Sequence, residues 1–141
     1  MIDDNKIVLD IPKGMEVDVE KSDLKAGVIK LRKKEICYAD VLSTLADKDI
    51  YPAEIKVPNL FAGKIIALAR LMTIAKYYNG DWKPDWNSHE YKHNIMRTSE
   101  YGITSCGNYN EGAIYFKNKE DAQAVIDNPN FRSILDEIYK G

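Results

Sequence analysis

The sequence predicts an α+β fold, with small antiparallel sheets packed on a long central apolar helix and a C-terminal hairpin followed by two short helices. Three observations predict it. Apolar and polar residues alternate through the first third of the chain. The stretch from Leu60 to Tyr78 carries apolar residues at helical spacing around most of its circumference. The last third passes from strand-like alternation into helical stripes. Residues 1–141 read as one domain, and a loose division, if there is one, falls in the proline-bearing stretch 50–58.

In KIVLDI, Ile7, Leu9 and Ile11 alternate with Lys6, Val8 and Asp10, which predicts a strand with one apolar face. Pro12-Lys13-Gly14 is turn chemistry, and Met15, Val17 and Val19 alternating with Glu16, Asp18 and Glu20 predict a second, shorter strand. Ile29 and Leu31 alternate with Lys30 and Arg32 in a third, completing an antiparallel meander. Its outer faces carry opposite charge, Glu16, Asp18 and Glu20 against Lys30, Arg32 and Lys34, and cross-strand pairing is the simplest use for them. Tyr38, Val41, Leu42 and Leu45 then predict a short amphipathic helix.

From Leu60 to Tyr78 one apolar face holds Phe61, Ile65, Leu68, Met72 and Ala75, and the adjoining one holds Leu60, Ala67, Leu71, Ile74 and Tyr78. Lys64, Arg70, Thr73 and Lys76 leave only a narrow wet edge, so this helix is expected at the centre of the core, ended by Asn79-Gly80. Tyr91, His93 and Ile95 alternate with Lys92, Asn94 and Met96 as a further strand. Ile103–Ser105 and residues 113–116 flank CGNYNEG, which predicts a hairpin. Asn118 stands where it would cap a helix over KEDAQAVI. Asn128-Pro129 opens a last helix with the stripe Phe131, Ile134, Leu135, Ile138 and Tyr139.

Composition removes several function classes. Twenty basic residues against 22 acidic ones give a net charge of −2, which supplies no general attraction to phosphate backbones. The acids in MIDDNKIVLD disfavour a secretory signal. Lys64, Arg70 and Lys76 interrupt the longest apolar run, which therefore lacks the roughly 18 apolar residues of a spanning helix. The two cysteines, Cys37 and Cys106, fit neither a metal-binding nor a redox pair, as expected of a reducing compartment. No phosphate-binding glycine loop, dinucleotide fingerprint or serine elbow occurs, so no cofactor and no catalytic residue is expected.

One motif does match an enzyme signature. HEYKH, His89 to His93, fits the zinc metallopeptidase pattern, in which two histidines one helical turn apart, with Cβ atoms about 6 Å apart, hold one ion beside a glutamate. The premise is a helix. Here the second half of the motif enters an alternating segment, where an extended backbone separates positions 89 and 93 by about 13 Å. Lys92 also puts a charge where that helix carries an uncharged residue, and only Glu100 or Glu111 could be nominated as a third ligand. A zinc hydrolase is therefore the remote alternative, and no metal is expected.

The aromatics suggest a surface. Nine tyrosines against three phenylalanines give many rings with a polar tip, suited to interfaces, and Tyr101, Tyr109 and Tyr115 all fall in or beside the predicted hairpin. Trp82 and Trp86 in GDWKPDW read first as anchors at the core edge and second as stacking platforms.

The run IPKGMEVDVEKSDLKAGVIKLRKKE, with Ile11-Pro12, Gly14, Asp18, Ser22 and a strand ending in basic residues, resembles the opening of many small phage and prophage accessory proteins of gut bacteria. The likeness continues through the long apolar helix, DWKPDW, the Tyr-Lys-x-x-Ile strand start at Tyr91 and YFKNKEDAQAVIDNPNF, so it touches most of the chain. The resemblance implies a non-enzymatic protein in the cytoplasm of a bacterial host. Its expected mode is stoichiometric binding of a protein partner, of the anti-CRISPR kind, with an RNA-guided defence nuclease as the partner. On that expectation Glu16, Asp18 and Glu20 would cover a cationic channel, or Tyr101, Tyr109 and Tyr115 would wedge into a moving interface. The alternative is a nucleic-acid-binding accessory protein using Lys30, Arg32, Lys33 and Lys34 with Trp82 or Trp86.

Overall fold

In a computed structural model, which describes residues 2–3, 6–12 and 15–140, the chain forms two compact units that meet at the Glu35–Ile36 bond. That boundary lies upstream of the proline-bearing 50–58 stretch. Small antiparallel sheets and several helices, one of them long, give an α+β fold.

In the first unit, β1 (Ile2–Asp3) pairs with β2 (Lys6–Ile7), and β3 (Met15–Val17) pairs with β4 (Leu31–Lys33). These are two separate two-stranded ribbons where the alternation predicts one meander. The strand expected over KIVLDI stops at Ile7. A bond from the Met15 amide to the Pro12 carbonyl (3.1 Å) spans the expected turn, of which Lys13 and Gly14 lie outside the described residues. Residues 18–30 form a compact loop because polar groups close on one another. The Asp18 amide donates to Lys30 O (2.8 Å), Ser22 Oγ donates to Asp18 O (2.6 Å), and the Lys30 amide donates back to Ser22 Oγ (3.0 Å). The inner turn, pinned by paired bonds between Asp23 and Val28, needs the positive φ of Gly27 (71°).

The second unit begins with α1 (Tyr38–Thr44), where the Asp40 carboxylate accepts the Cys37 amide (2.9 Å), and a short 3-10 turn at Asp47–Asp49. α2 spans Asn59–Asn79. It ends where the Gly80 amide returns to Lys76 O, at a φ of 60° that favours glycine. β5 (Lys92–Arg97) and β6 (Tyr101–Cys106) follow, then α3 (Lys119–Asp127), a 3-10 turn at Pro129–Phe131 and α4 (Arg132–Tyr139).

The hairpin sits elsewhere than predicted. β5 pairs with β6 through the Thr98–Ser99–Glu100 loop, with Arg97 opposite Tyr101. Residues 113–115 form no strand, and Phe116 reaches the sheet only as a single bridge to His93 on β5. CGNYNEG, although richer in turn residues, is the loop that carries the chain from β6 to that bridge. The Asn79 side chain secures the landing, donating to Tyr115 O (2.8 Å) and accepting the Lys117 amide (2.9 Å).

The core of this unit includes Val41 of α1, Leu71 and Ile74 of α2, Ile95 of β5, Phe116, Val125 of α3, Phe131 of the second 3-10 turn and Leu135 of α4. Tyr139 fastens α4 to the sheet by donating its hydroxyl to Ile95 O (2.8 Å). Asn118 and Asn128 stand at the helix starts where the sequence puts them, with one difference. Asn128 Oδ1 accepts the Asn130 amide as a cap does, whereas Asn118 turns its Nδ2 toward the Asp121 carboxylate (3.2 Å).

α2 is less enclosed than its composition predicts. Ala67, Leu71, Ile74 and Ala75 are buried, but Leu60, Phe61, Ile66 and Met72 are exposed. The helix is apolar nearly all round and covered on one side only.

Candidate functional site

The HEYKH segment is not helical: His89 to Tyr91 belong to a loop, and Lys92 and His93 open β5. His89 and Glu90 are exposed in the loop before β5, and His93 lies on the strand with Nδ1 2.6 Å from Ser105 Oγ across the sheet. The helical turn that would place two imidazoles on one face is absent. Among the described residues no three histidine, cysteine or carboxylate side chains gather in a metal-binding group. Burial lowers the His93 pKa below the ordinary histidine value, favouring the neutral ring.

The residue the motif treats as filler is the one the fold encloses. Lys92 is 1% exposed. Its Nζ donates to Ser88 O (2.9 Å) and Gly107 O (2.6 Å) and stands 5.1 Å from the centroid of the Trp86 ring. Two carbonyls and one aromatic face thus meet the three directions of an ammonium group. Tyr115 packs edge-on to Trp86 at 5.0 Å, and its hydroxyl accepts the Glu111 amide (2.9 Å). All of these polar groups are satisfied by one another, which makes the cluster a clasp joining the loop before β5 to the loop after β6.

A second grouping opens to solvent. Where the β5–β6 hairpin meets the ends of α3 and α4, a cavity of about 330 Å³ is lined by Arg97, Ser99, Glu100, Tyr101, Ile126, Arg132 and Lys140. The guanidinium carbons of Arg132 and Arg97 stand 4.9 and 5.9 Å from the Tyr101 ring centroid. The Tyr101 hydroxyl donates to Asp136 Oδ1 (2.7 Å), and Lys140 Nζ lies 3.2 Å from the same oxygen. That carboxylate is therefore held below its ordinary pKa, chiefly by the tyrosine hydrogen bond. Burial, with help from the same bond, pushes Tyr101 up to about 12. Arg132 Nη2 also caps the end of α3 through Ile126 O (3.1 Å).

A third feature is apolar. Phe61, Ile65, Leu68 and Met72 recur along α2 at a four-three-four spacing beside its buried face. Ile65 and Leu68 are half-buried, while Phe61 is 49% and Met72 58% exposed. Leu60, more exposed still, stands at the start of the same helix.

The other residues singled out in the sequence are dispersed. Glu16 meets its cross-strand partner Arg32 at 2.8 Å, as the charge pattern predicts. Asp18, by contrast, is buried with its carboxylate accepting the Lys21 amide (3.2 Å), and Glu20 lies exposed in the turn beyond β3, so the three acids form no single strand face. Lys30, Arg32, Lys33 and Lys34 are on or beside β4 in the first unit, whereas Trp82 and Trp86 belong to the second. Trp86 has one face turned to the Lys92 ammonium. Of the tyrosines, Tyr109 is exposed, Tyr115 is buried, and Tyr101 lines the cleft. The cleft's Arg97, Arg132 and Lys140 escape sequence reading because no motif joins them. A hairpin placed at Thr98–Glu100 would have brought Arg97 and Tyr101 opposite each other.

Among the described residues no helix is long and apolar enough to cross a membrane. The fold thus defines a two-unit α+β protein with a cationic cleft and an open apolar helix face. No protein-family model, no curated protein and no solved structure matches the chain.

Proposed function

We propose that this chain is a non-enzymatic binding protein that acts by stoichiometric contact with another protein, and that the Phe61–Ile65–Leu68–Met72 face of α2 supplies the contact. The observation that carries the reading is the exposure of Phe61 and Met72 on a 21-residue helix whose adjoining face is already in the core. A helix that merely closes a core turns charged residues outward. Full burial of side chains of this kind is worth about 1.5–3 kcal/mol each, and large exposed apolar groups in a row mark interaction surfaces. The spacing suits a helical or similarly ridged apolar partner. The sequence resemblance to phage accessory proteins directs the choice of partner to bacterial defence nucleases, with inhibition as the outcome and the host cytoplasm as the setting.

The test mixes purified protein with candidate RNA-guided nucleases and follows co-elution and target cleavage. A 1:1 complex that slows cleavage, and that Phe61→Glu with Met72→Glu removes while the circular dichroism spectrum is unchanged, supports the reading. Intact cleavage and separate elution at molar excess remove the nuclease as partner. A complex indifferent to both substitutions removes the α2 face.

A further inference from the structure

We propose that the cleft between the β5–β6 hairpin and the ends of α3 and α4 is an anion site that takes a phosphoryl group. The inference is independent of the partner assigned to α2.

Three cations, Arg97, Arg132 and Lys140, line the cavity with one carboxylate, Glu100, and even with Asp136, the ion-pair partner of Lys140, counted beside them the cleft is left positive in a chain whose overall net charge is −2. The local sign is thus opposite to that of the molecule. Among the described residues neither Arg97, which is half-buried, nor Arg132, which is exposed, has a carboxylate within ion-pair distance. The nearby acid that could have neutralised them, Asp136, is engaged by the Tyr101 hydroxyl and by Lys140.

The arginines are also held in place. Both lie over the Tyr101 ring, and that ring is fixed by its hydroxyl bond to Asp136 and by an edge-on contact with Tyr139 at 5.8 Å. Arg132 is further tied to the end of α3. Ordering a guanidinium before the ligand arrives lowers the entropic cost of using it, and planar forks match the oxygens of a phosphoryl group. The Ser99 hydroxyl in the lining adds a donor that a tetrahedral oxyanion can use, and the cavity has room for more than the ion alone.

Amide NMR titrations with inorganic phosphate and with phenyl phosphate at low ionic strength test the site. The expected result is a saturable shift confined to Arg97, Ser99, Glu100, Tyr101, Arg132 and Lys140, weakened by added salt. Arg97→Gln with Arg132→Gln should weaken binding about tenfold or more, the loss expected on removing charge-assisted hydrogen bonds. Glu100→Gln, which leaves both arginine contacts intact, should tighten it about two- to fivefold by removing the one repulsive carboxylate. Should the double variant fail to fold, the Glu100→Gln comparison decides alone. Tighter binding of phenyl phosphate assigns the phosphoryl group to an organic ester seated over Tyr101 and Ile126, and equal binding assigns it to free phosphate. No saturation up to tens of millimolar, or affinities unchanged in the folded variants, overturns the proposal.

Discussion

Lys92 Nζ stands 5.1 Å from the centroid of the Trp86 ring while donating to the carbonyls of Ser88 and Gly107, so a buried cation is met by dipoles rather than by a carboxylate. Lys92→Met keeps the length of the side chain and removes its donors. Both carbonyls are then left short of a partner, at about 1–3 kcal/mol for a buried group, offset in part because no charge need be desolvated. A net loss of about 2 kcal/mol is expected, read as a lower urea midpoint with an unchanged slope. A variant as stable as the parent would mean that the clasp contributes nothing.

That clasp also marks where sequence reading stops. Charge in a strand is ordinarily a sign of solvent, so alternation sets Lys92 among the polar positions, and no pattern announces that two loops will aim carbonyls at it. The helices are legible because their signals are local. α2 is predicted over Leu60–Tyr78 and found over Asn59–Asn79, since its periodicity lies within it and the Asn79-Gly80 stop stands at its end. What periodicity lacks is any record of the partner. It marks Phe61 and Met72 as apolar, but not that the neighbouring face alone would be covered. The β5–β6 hairpin is missed for a related reason. Thr-Ser-Glu is a weaker turn signal than CGNYNEG, and only the pairing of Arg97 with Tyr101 across the sheet makes it the turn.

Asn128 joins distant parts of the second unit. Its Oδ1 accepts the Asn130 amide (2.9 Å) and its Nδ2 donates to Ile36 O (2.8 Å), a residue just before α1. Asn128→Ala loses a cap and leaves that carbonyl one donor poorer, for an expected loss of about 1–3 kcal/mol. Asn128→Asp keeps the cap alone and should recover part of the loss in the same denaturation assay. Equal losses in the two variants would show that the link to Ile36 dominates, and no loss in either would sink the argument.

Gly63 lies inside α2 where α4 approaches. A Cβ built there meets the Glu137 carboxylate. That contact is with the tip of an exposed, flexible side chain that can swing into solvent. Alanine is favoured over glycine in a helix interior by about 1 kcal/mol, so Gly63→Ala should stabilise the protein by about 0.5–1 kcal/mol. A lowered melting temperature would mean that Glu137 cannot move aside.

The Tyr101–Asp136 hydrogen bond should shape stability at both ends of the pH scale. Asp136 has a folded pKa below its ordinary value of 3.8, so its contribution is present above that value and is lost as pH falls through the lower folded one. Tyr101 is shifted the other way, from 10.0 to about 12, so its contribution is complete below pH 10 and disappears as pH rises toward 12. Tyr101→Phe removes the largest cause of the aspartate shift and leaves burial, which raises the pKa, opposed by Lys140 and Arg132, which lower it. Carboxyl carbon NMR should therefore find Asp136 titrating at higher pH in the variant than in the parent. Its share of the acid limb should begin at the same pH but be smaller and end at higher pH, and the tyrosine's share of the alkaline limb should vanish. An Asp136 titration that is the same in both proteins would mean the hydroxyl does not reach the carboxylate in solution, and the ring holding Arg97 and Arg132 would lose its anchor with it.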